Sequence, residues 1–195
     1  MTDALTNADA SAWIARFAPL ARRGEALDLA CGTGRHARLL AALGHPVIAL
    51  DRDPEALAAA AGPSITTLEF DLEDGTAPWP FEDGRFAVIV VTNYLHRPLI
   101  PALVRSLAPG GLLIYETFAG GNEAFGRPSN PAFLLHEGEL LRQAAAHHLR
   151  VLAFEDGFTS VPKAAMVQRL CACGADFARE DARLDGGAAV TEARF

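Results

Sequence analysis

The sequence predicts an α/β fold: a doubly wound, seven-stranded, mostly parallel sheet with an antiparallel last strand pair. Three observations carry that prediction. Short apolar runs alternate with longer amphipathic stretches, the pattern of parallel strands joined through helices. The final two strands follow one another with no helix between them. A parallel crossover needs about a dozen residues or more, so these two pair antiparallel. The chain has 195 residues, 50% of them hydrophobic and 21% charged, and a mean hydropathy of +0.15. That composition excludes disorder and suits a single domain over 1–195, with its core at about 25–173 and a loosely packed polar tail over 175–195.

Each element has its own reason. Trp13, Ile14, Phe17 and Leu20 recur at helical spacing, which predicts a first helix over Ser11 to Arg23. Glu25 to Ala30 is a short apolar strand, Cys31 to Gly34 a turn, and Arg35 to Leu43 a helix stopped by Gly44. Pro46 to Leu50 forms the second strand. Asp53-Pro54 then caps and starts a helix to about Ala61, because Asp accepts from free N–H groups and Pro suits the first turn. Ile65 to Phe70 is the third strand, and a turn-rich connection with Pro78-Trp79-Pro80 follows. Phe86 to Thr92 is apolar almost throughout, as befits a central strand buried on both faces. Leu99 to Leu107 is helical and closed by Pro109-Gly110-Gly111; Leu112 to Glu116 is the fifth strand. After a Gly, Asn and Pro-rich loop over Thr117 to Pro131 come a helix at Glu137 to His147 and strands at Leu149 to Phe154 and Ala165 to Cys173. The tally is five strand–helix units, a helix and the terminal strand pair.

Seventeen basic against twenty-four acidic residues leave a net charge of −7. That balance disfavours a nucleic-acid partner, which needs a basic face, without excluding a local patch. Lys163 is the one lysine among the basic residues. Cys31, Cys171 and Cys173 lack the spacing of a disulfide framework and suit a reducing cytoplasm. No basic segment precedes an apolar core in Met1 to Ala12, and no run is long enough to span a membrane, so a cytoplasmic protein is expected. No metal site is expected. Adjacent histidines His147 and His148 point in different directions, and the two thiols of Cys171-x-Cys173 make a poor zinc site.

In an open parallel sheet, ligands bind beyond the carboxyl ends of the strands. Asp28, Asp51 and Asp71 stand at or beside the first three such ends. The strongest local signal is Leu27-Asp28-Leu29-Ala30-Cys31-Gly32-Thr33-Gly34, whose glycines permit a tight turn and a close approach of ligand to backbone. Asp51, seventeen residues after Gly34, is placed to accept from two ribose hydroxyls, and an adenosine-containing ligand explains the pairing. The plainer alternative is a turn whose glycines serve packing and an Asp51 that merely caps a helix. A dinucleotide also fits, since Gly32 to Ala37 matches a loose G-x-G-x-x-G/A pattern. The negative charge of Asp28 speaks against a pyrophosphate there and suits a ligand with an amino group and a sulfonium.

Asp28 to Gly34 followed by Asp51 resembles motif I and the acidic second-strand end of class I S-adenosylmethionine-dependent methyltransferases. Phe70-Asp71-Leu72 resembles that family's third-strand end, Phe86 to Asn93 its fourth-strand motif, and Leu107 to Gly111 its helix-to-strand turn before the fifth strand. Ala30 departs from the pattern, where many members have glycine. The resemblance implies a Rossmann-like sheet and S-adenosylmethionine as cofactor, with S-adenosylhomocysteine as product. It further implies that Asp28 and the backbone at Ala30, Gly32 and Gly34 hold the methionine part. Asp51 would hold the ribose, and Arg52 would flank the adenine. Asp71 and the Leu72 amide would bind the adenine edge, with Asn93 beneath the sulfonium.

The expected reaction is in-line methyl transfer to a small-molecule acceptor. A thiolate acceptor needs no base, whereas a hydroxyl or protonated amine needs one near the methyl. Candidates are Tyr94, which could also simply wall the pocket, and His96, which could be a base or merely structural. Arg97, after the fourth strand, and Glu116 and Thr117, after the fifth, are further candidates. The loop Gly120 to Pro131 leaves a strand's carboxyl end and could close over the acceptor, with Arg127 facing either an acidic substrate or the protein's own acids. Two alternatives stay open: an RNA or protein acceptor, which a mouth cluster of Arg97, Arg105, Arg127 and Arg142 would support, and a non-catalytic S-adenosylmethionine-binding module.

Overall fold

The computed structural model describes residues 10–75 and 77–183; most of the leader reading at Met1 to Ala12 and the tail beyond residue 183 lie outside them. The elements are α1 (Ala12–Phe17), β1 (Ala26–Leu29), α2 (Arg35–Ala42), β2 (Val47–Asp51), α3 (Pro54–Ala60), β3 (Ile65–Glu69), β4 (Phe86–Thr92), α4 (Ile100–Arg105), β5 (Leu107–Phe118), α5 (Glu139–Ala146), β6 (Arg150–Thr159) and β7 (Ala165–Cys173). One seven-stranded sheet has the order β3-β2-β1-β4-β5-β7-β6. Strands β1 to β5 are parallel, and β7 runs antiparallel to both β5 and β6. The doubly wound, mostly parallel sheet with its antiparallel last pair is therefore as expected.

Alternation of side chains across the strands builds two cores. Ala26, Val88, Val90, Leu112 and Ile114 face α1, α2 and α3, meeting Trp13, Phe17, Leu40 and Leu57. Leu27, Leu29, Ile89, Val91 and Leu113 face the other way, onto Leu103 of α4 and Leu140 of α5. All seven residues of β4 are buried, which explains its unbroken apolar sequence. Strand order reverses between β1 and β4, the two strands at the centre, and so opens a crevice at their carboxyl ends.

Several expectations change. The first helix ends at Phe17 and tightens into a 3-10 turn over Ala18–Leu20, because Pro19 brings no N–H to an α-helical ladder. The tally of five strand–helix units is too high. Between β3 and β4 the described residues form no helix but the turn-rich connection expected there, with Gly75, Pro78, Pro80 and Gly84. Strand β5 begins at Leu107 rather than Leu112. Leu107 pairs with Phe86 and Leu112 with Val88, so the Pro-Gly-Gly stretch is a bulge inside the strand. A Cβ on Gly111 would fall 2.8 Å from the Phe86 carbonyl oxygen, which is why glycine sits there. The start of the supposed loose tail is packed: Phe177 is 2% exposed, and Arg150 donates to its carbonyl at 2.8 Å. An aromatic side chain was enough to draw that segment into the core.

Candidate active site

The turn after β1 is built by two carboxylates that reach across it. Gly34 is the N-cap of α2 and has no side chain to satisfy the helix's free N–H groups. Asp28 does so from β1, its Oδ2 accepting the Ala37 N–H at 2.8 Å. Asp28 is completely buried, and its Oδ1 has no hydrogen-bond partner. Burial pushes its carboxyl up to about 7, partly offset by the Ala37 N–H. On the other side, the Gly32 N–H donates to Asp51 Oδ2 at 2.8 Å, and the Asp53 N–H to Asp51 Oδ1 at 3.1 Å. The glycines differ in purpose. A Cβ on Gly34 would lie 2.6 Å from the Ala60 Cβ, so α3 packs directly on that position, whereas a Cβ on Gly32 would meet nothing within 4 Å. Ala30 holds φ at +53° despite its methyl group, a left-handed conformation that glycine adopts without strain.

Above this turn lies a cavity of about 530 Å³ at the carboxyl ends of β1, β2, β4 and β5. Of the expected cofactor residues it brings together Ala30, Asp51, Arg52, Asp71, Leu72 and Asn93, and Tyr94 lines it too. Asp28, Gly32 and Gly34 shape the turn without lining the cavity. The lining suits S-adenosylmethionine. Each Asp51 oxygen accepts one N–H and keeps a lone pair for a ribose hydroxyl. Phe70, Leu72 and Leu95 give an apolar surface for a flat base, and the carboxylates of Asp51 and Asp71 favour a cation. Asp71 Oδ1 accepts the Glu73 N–H at 2.9 Å, which holds the carboxylate at the end of β3.

Asn93 leaves β4 with φ at +55° and is held there by its N–H donating to the Glu116 carbonyl at 2.9 Å. The Tyr94 hydroxyl is buried without a well-formed hydrogen bond. Burial and the neighbouring Glu73 carboxylate both raise its pKa, so it stays protonated. The Tyr115 hydroxyl donates to the Tyr94 carbonyl at 2.9 Å and steadies that segment. His96 is half-buried, precedes a 3-10 turn and does not line the cavity.

The arginines anticipated as a mouth cluster do not form one. Arg97 makes a forked pair with Glu139 at 2.7 and 2.9 Å and donates to the Ala132 and Leu134 carbonyls, each at 2.8 Å. Burial pushes the Glu139 carboxyl up, but the Arg97 fork and the His136 N–H hold it below its usual range. Arg105 pairs with Asp83 at 3.5 Å, and Arg142 donates to the Glu137 carbonyl at 2.7 Å. Arg127 alone of the four lines a cavity at the site, beside Asn93 and Phe118.

Sequence reasoning placed Phe70 and Phe118 at strand ends without giving them a role, and missed Pro128 and Phe133, which line the cavity with them, and His36. The His36 ring is buried. Its Nε2 accepts the Ser11 N–H at 3.2 Å, so the proton sits on Nδ1, 3.3 Å from the Thr92 hydroxyl. Burial lowers its pKa to about 3, and it ties the N-terminus of α1 to the end of β4 as a neutral ring. Phe118, at a strand's carboxyl end, carried a signal in the sequence. His36, inside an apparent helix, carried none.

Sheet order, glycine turn and acidic strand ends define a class of protein, and comparison with known proteins agrees with it. Residues 26–111 match the family model of a methyltransferase domain. A crystal structure of an S-adenosylmethionine-dependent methyltransferase from Mesorhizobium loti is similar at TM-score 0.64 and 19% identity, over 83% of this chain and 95% of that one. TehB from Haemophilus influenzae is similar at TM-score 0.62 and 19% identity, over 77% of this chain and 57% of that one. The [4+2]-cyclase SpnF is similar at TM-score 0.64 and 16% identity, over 83% of this chain and 78% of that one. No curated protein matches the chain in sequence. The chain therefore has the fold of S-adenosylmethionine-dependent methyltransferases, and residues 26–111 of it match a methyltransferase domain. No helix among the described residues is long and apolar enough to cross a membrane.

Proposed function

We propose that this protein transfers a methyl group from S-adenosylmethionine to a small-molecule acceptor in the cytoplasm. Asp51 takes the ribose hydroxyls, Asp71 and the Leu72 amide the adenine edge, and Asn93 the floor beneath the sulfonium. The observation that carries this reading is the carboxylate of Asp51, clamped to the Gly32 N–H at the rim of the cavity with lone pairs to spare. When bound, S-adenosylmethionine supplies an electrophilic methyl group on a sulfonium. What the chain adds is alignment and exclusion of water, because an in-line displacement gains most from a held nucleophile. Tyr94 walls the cavity as a protonated phenol, which is no base. His96 stays a candidate base whose ring stands outside the cavity lining. A small acceptor is favoured because Arg97, Arg105 and Arg142 are engaged within the protein and offer no basic face. Three free cysteines suit a reducing compartment.

Calorimetric titration with S-adenosylhomocysteine, S-adenosylmethionine and NAD tests the reading. The first two should bind in the micromolar range and NAD should not. Asp51→Ala should weaken S-adenosylhomocysteine binding at least tenfold, about 1.4 kcal/mol. Binding of NAD alone, or an unchanged affinity in the variant, would overturn the assignment. Binding with no methyl transfer to any acceptor would move the chain to the non-catalytic reading.

A further inference from the structure

We infer that a second cavity beside the first receives the methyl acceptor, and that this acceptor is a small organic acid; the inference rests on the methyltransferase reading above. The cavity has a volume of about 550 Å³, the size of a small-molecule site. Asn93 and Phe118 line both spaces, so a molecule here lies against the same two side chains as the bound cofactor.

Its charge is opposite to that of the cofactor cavity. Arg35 from the start of α2, Lys163 from the β6–β7 turn and Arg169 from β7 line it, with Glu116 as the one carboxylate. Glu116 is already answered: the Ser11 hydroxyl donates to it at 2.6 Å, and Arg169 stands 3.4 Å away while also pairing with Glu155 at 2.9 Å. Arg35 and Lys163 form no ion pair among the described residues. The Lys163 ammonium stands 5.7 Å from the centroid of the Phe118 ring, over the wall the two cavities share.

Two cations without an ion-pair partner among the described residues therefore border one pocket of a chain whose net charge is −7. Phe118, Val161, Pro162 and Val167 give the cavity an apolar wall, and Ser11, Asn93 and Thr159 add neutral polar groups. Low-dielectric walls focus such a field and draw an anion inward. An anionic group meets Arg35 and Lys163, and an apolar body covers Phe118 and the valines. The two cavities then sort their ligands by sign: carboxylates select the cationic donor, and basic side chains select an anionic acceptor. None of this was readable in sequence, because Arg35 stands far along the chain from Lys163 and Arg169 and meets them only through the fold of the sheet.

The test is calorimetry on the full chain saturated with S-adenosylhomocysteine, using benzoate and phenylacetate, their neutral primary amides, and inorganic phosphate. The acids should bind at least tenfold more tightly than the amides. Lys163→Ala, on an exposed turn, and Arg35→Gln should each erase most of that preference while S-adenosylhomocysteine affinity is kept. Equal binding of acid and amide, no binding of either, or a preference that survives both substitutions would overturn the inference. Phosphate binding as tight as benzoate would overturn it too, because the apolar wall would then contribute nothing. Failure of S-adenosylhomocysteine to bind the unaltered protein would instead overturn the reading on which the inference rests.

Discussion

Asp28 shows how one buried carboxyl can set a pH dependence. Its pKa is raised from 3.8 to about 7, chiefly by burial, so the folded state holds the proton more tightly than the unfolded chain does. Stability then falls as pH rises from about 4 to about 7, because ionising the buried group costs more than ionising it in water. Asp28→Asn removes the titration and keeps an acceptor oxygen for the Ala37 N–H. Thermal unfolding of both proteins at pH 8 and pH 5.5 checks this. Relative to the variant, the natural protein should gain at least about 1 kcal/mol at the lower pH. A constant difference between the two would show that Asp28 does not titrate in that window. Ala30 and Asn93 are under a different constraint, side chains kept in a conformation that glycine adopts freely.

At the scale of elements, the glycines of the turn separate packing from backbone freedom. Gly34 touches α3 through Ala60, while Gly32 faces open space, and both have positive φ. Gly34→Ala should lose about 2 kcal/mol or more, from overpacking added to left-handed strain. Gly32→Ala should lose only the strain, about 1 kcal/mol. Denaturant melts of the two variants decide it, and equal losses would remove the packing role. The second element-scale device is the Arg97–Glu139 fork, which fastens the segment before α5 through the Ala132 and Leu134 carbonyls. Arg97→Met should accelerate amide exchange over residues 132–139 and leave β1 and β4 protected. Undiminished protection there would mean the segment is held by its apolar contacts alone.

Across the whole molecule, the parts legible in sequence were those governed by local periodicity. Strand β4, strand β7 and the Asp53 cap of α3 follow from spacing and capping chemistry over a few residues. Asp51 and Asp71 were readable because strand ends place their side chains at one edge of the sheet. What stayed hidden depends on approach between distant segments. The bulge of β5 needs Phe86 beside Gly111, and the role of Arg97 needs Glu139. The position of Asp28 beneath the turn rather than at the cavity surface follows from a helix whose N-cap lacks a side chain.

Because β7 runs against its neighbours, the β6–β7 turn falls at the same end of the sheet as the carboxyl ends of the parallel strands. Backbone pairing runs from Arg150↔Cys173 to Thr159↔Ala165, leaving Ser160 to Ala164 as a short tip outside the ladder. That tip carries Val161, Pro162 and Lys163, and no residue of it lines the first cavity beside Asp51. On the proposed reading, Asn93 and Phe118 serve both cavities, while the tip belongs to the acceptor cavity alone. Exchanging the tip, or changing its length, would then alter the acceptor with little effect on the strand ends proposed to hold the donor.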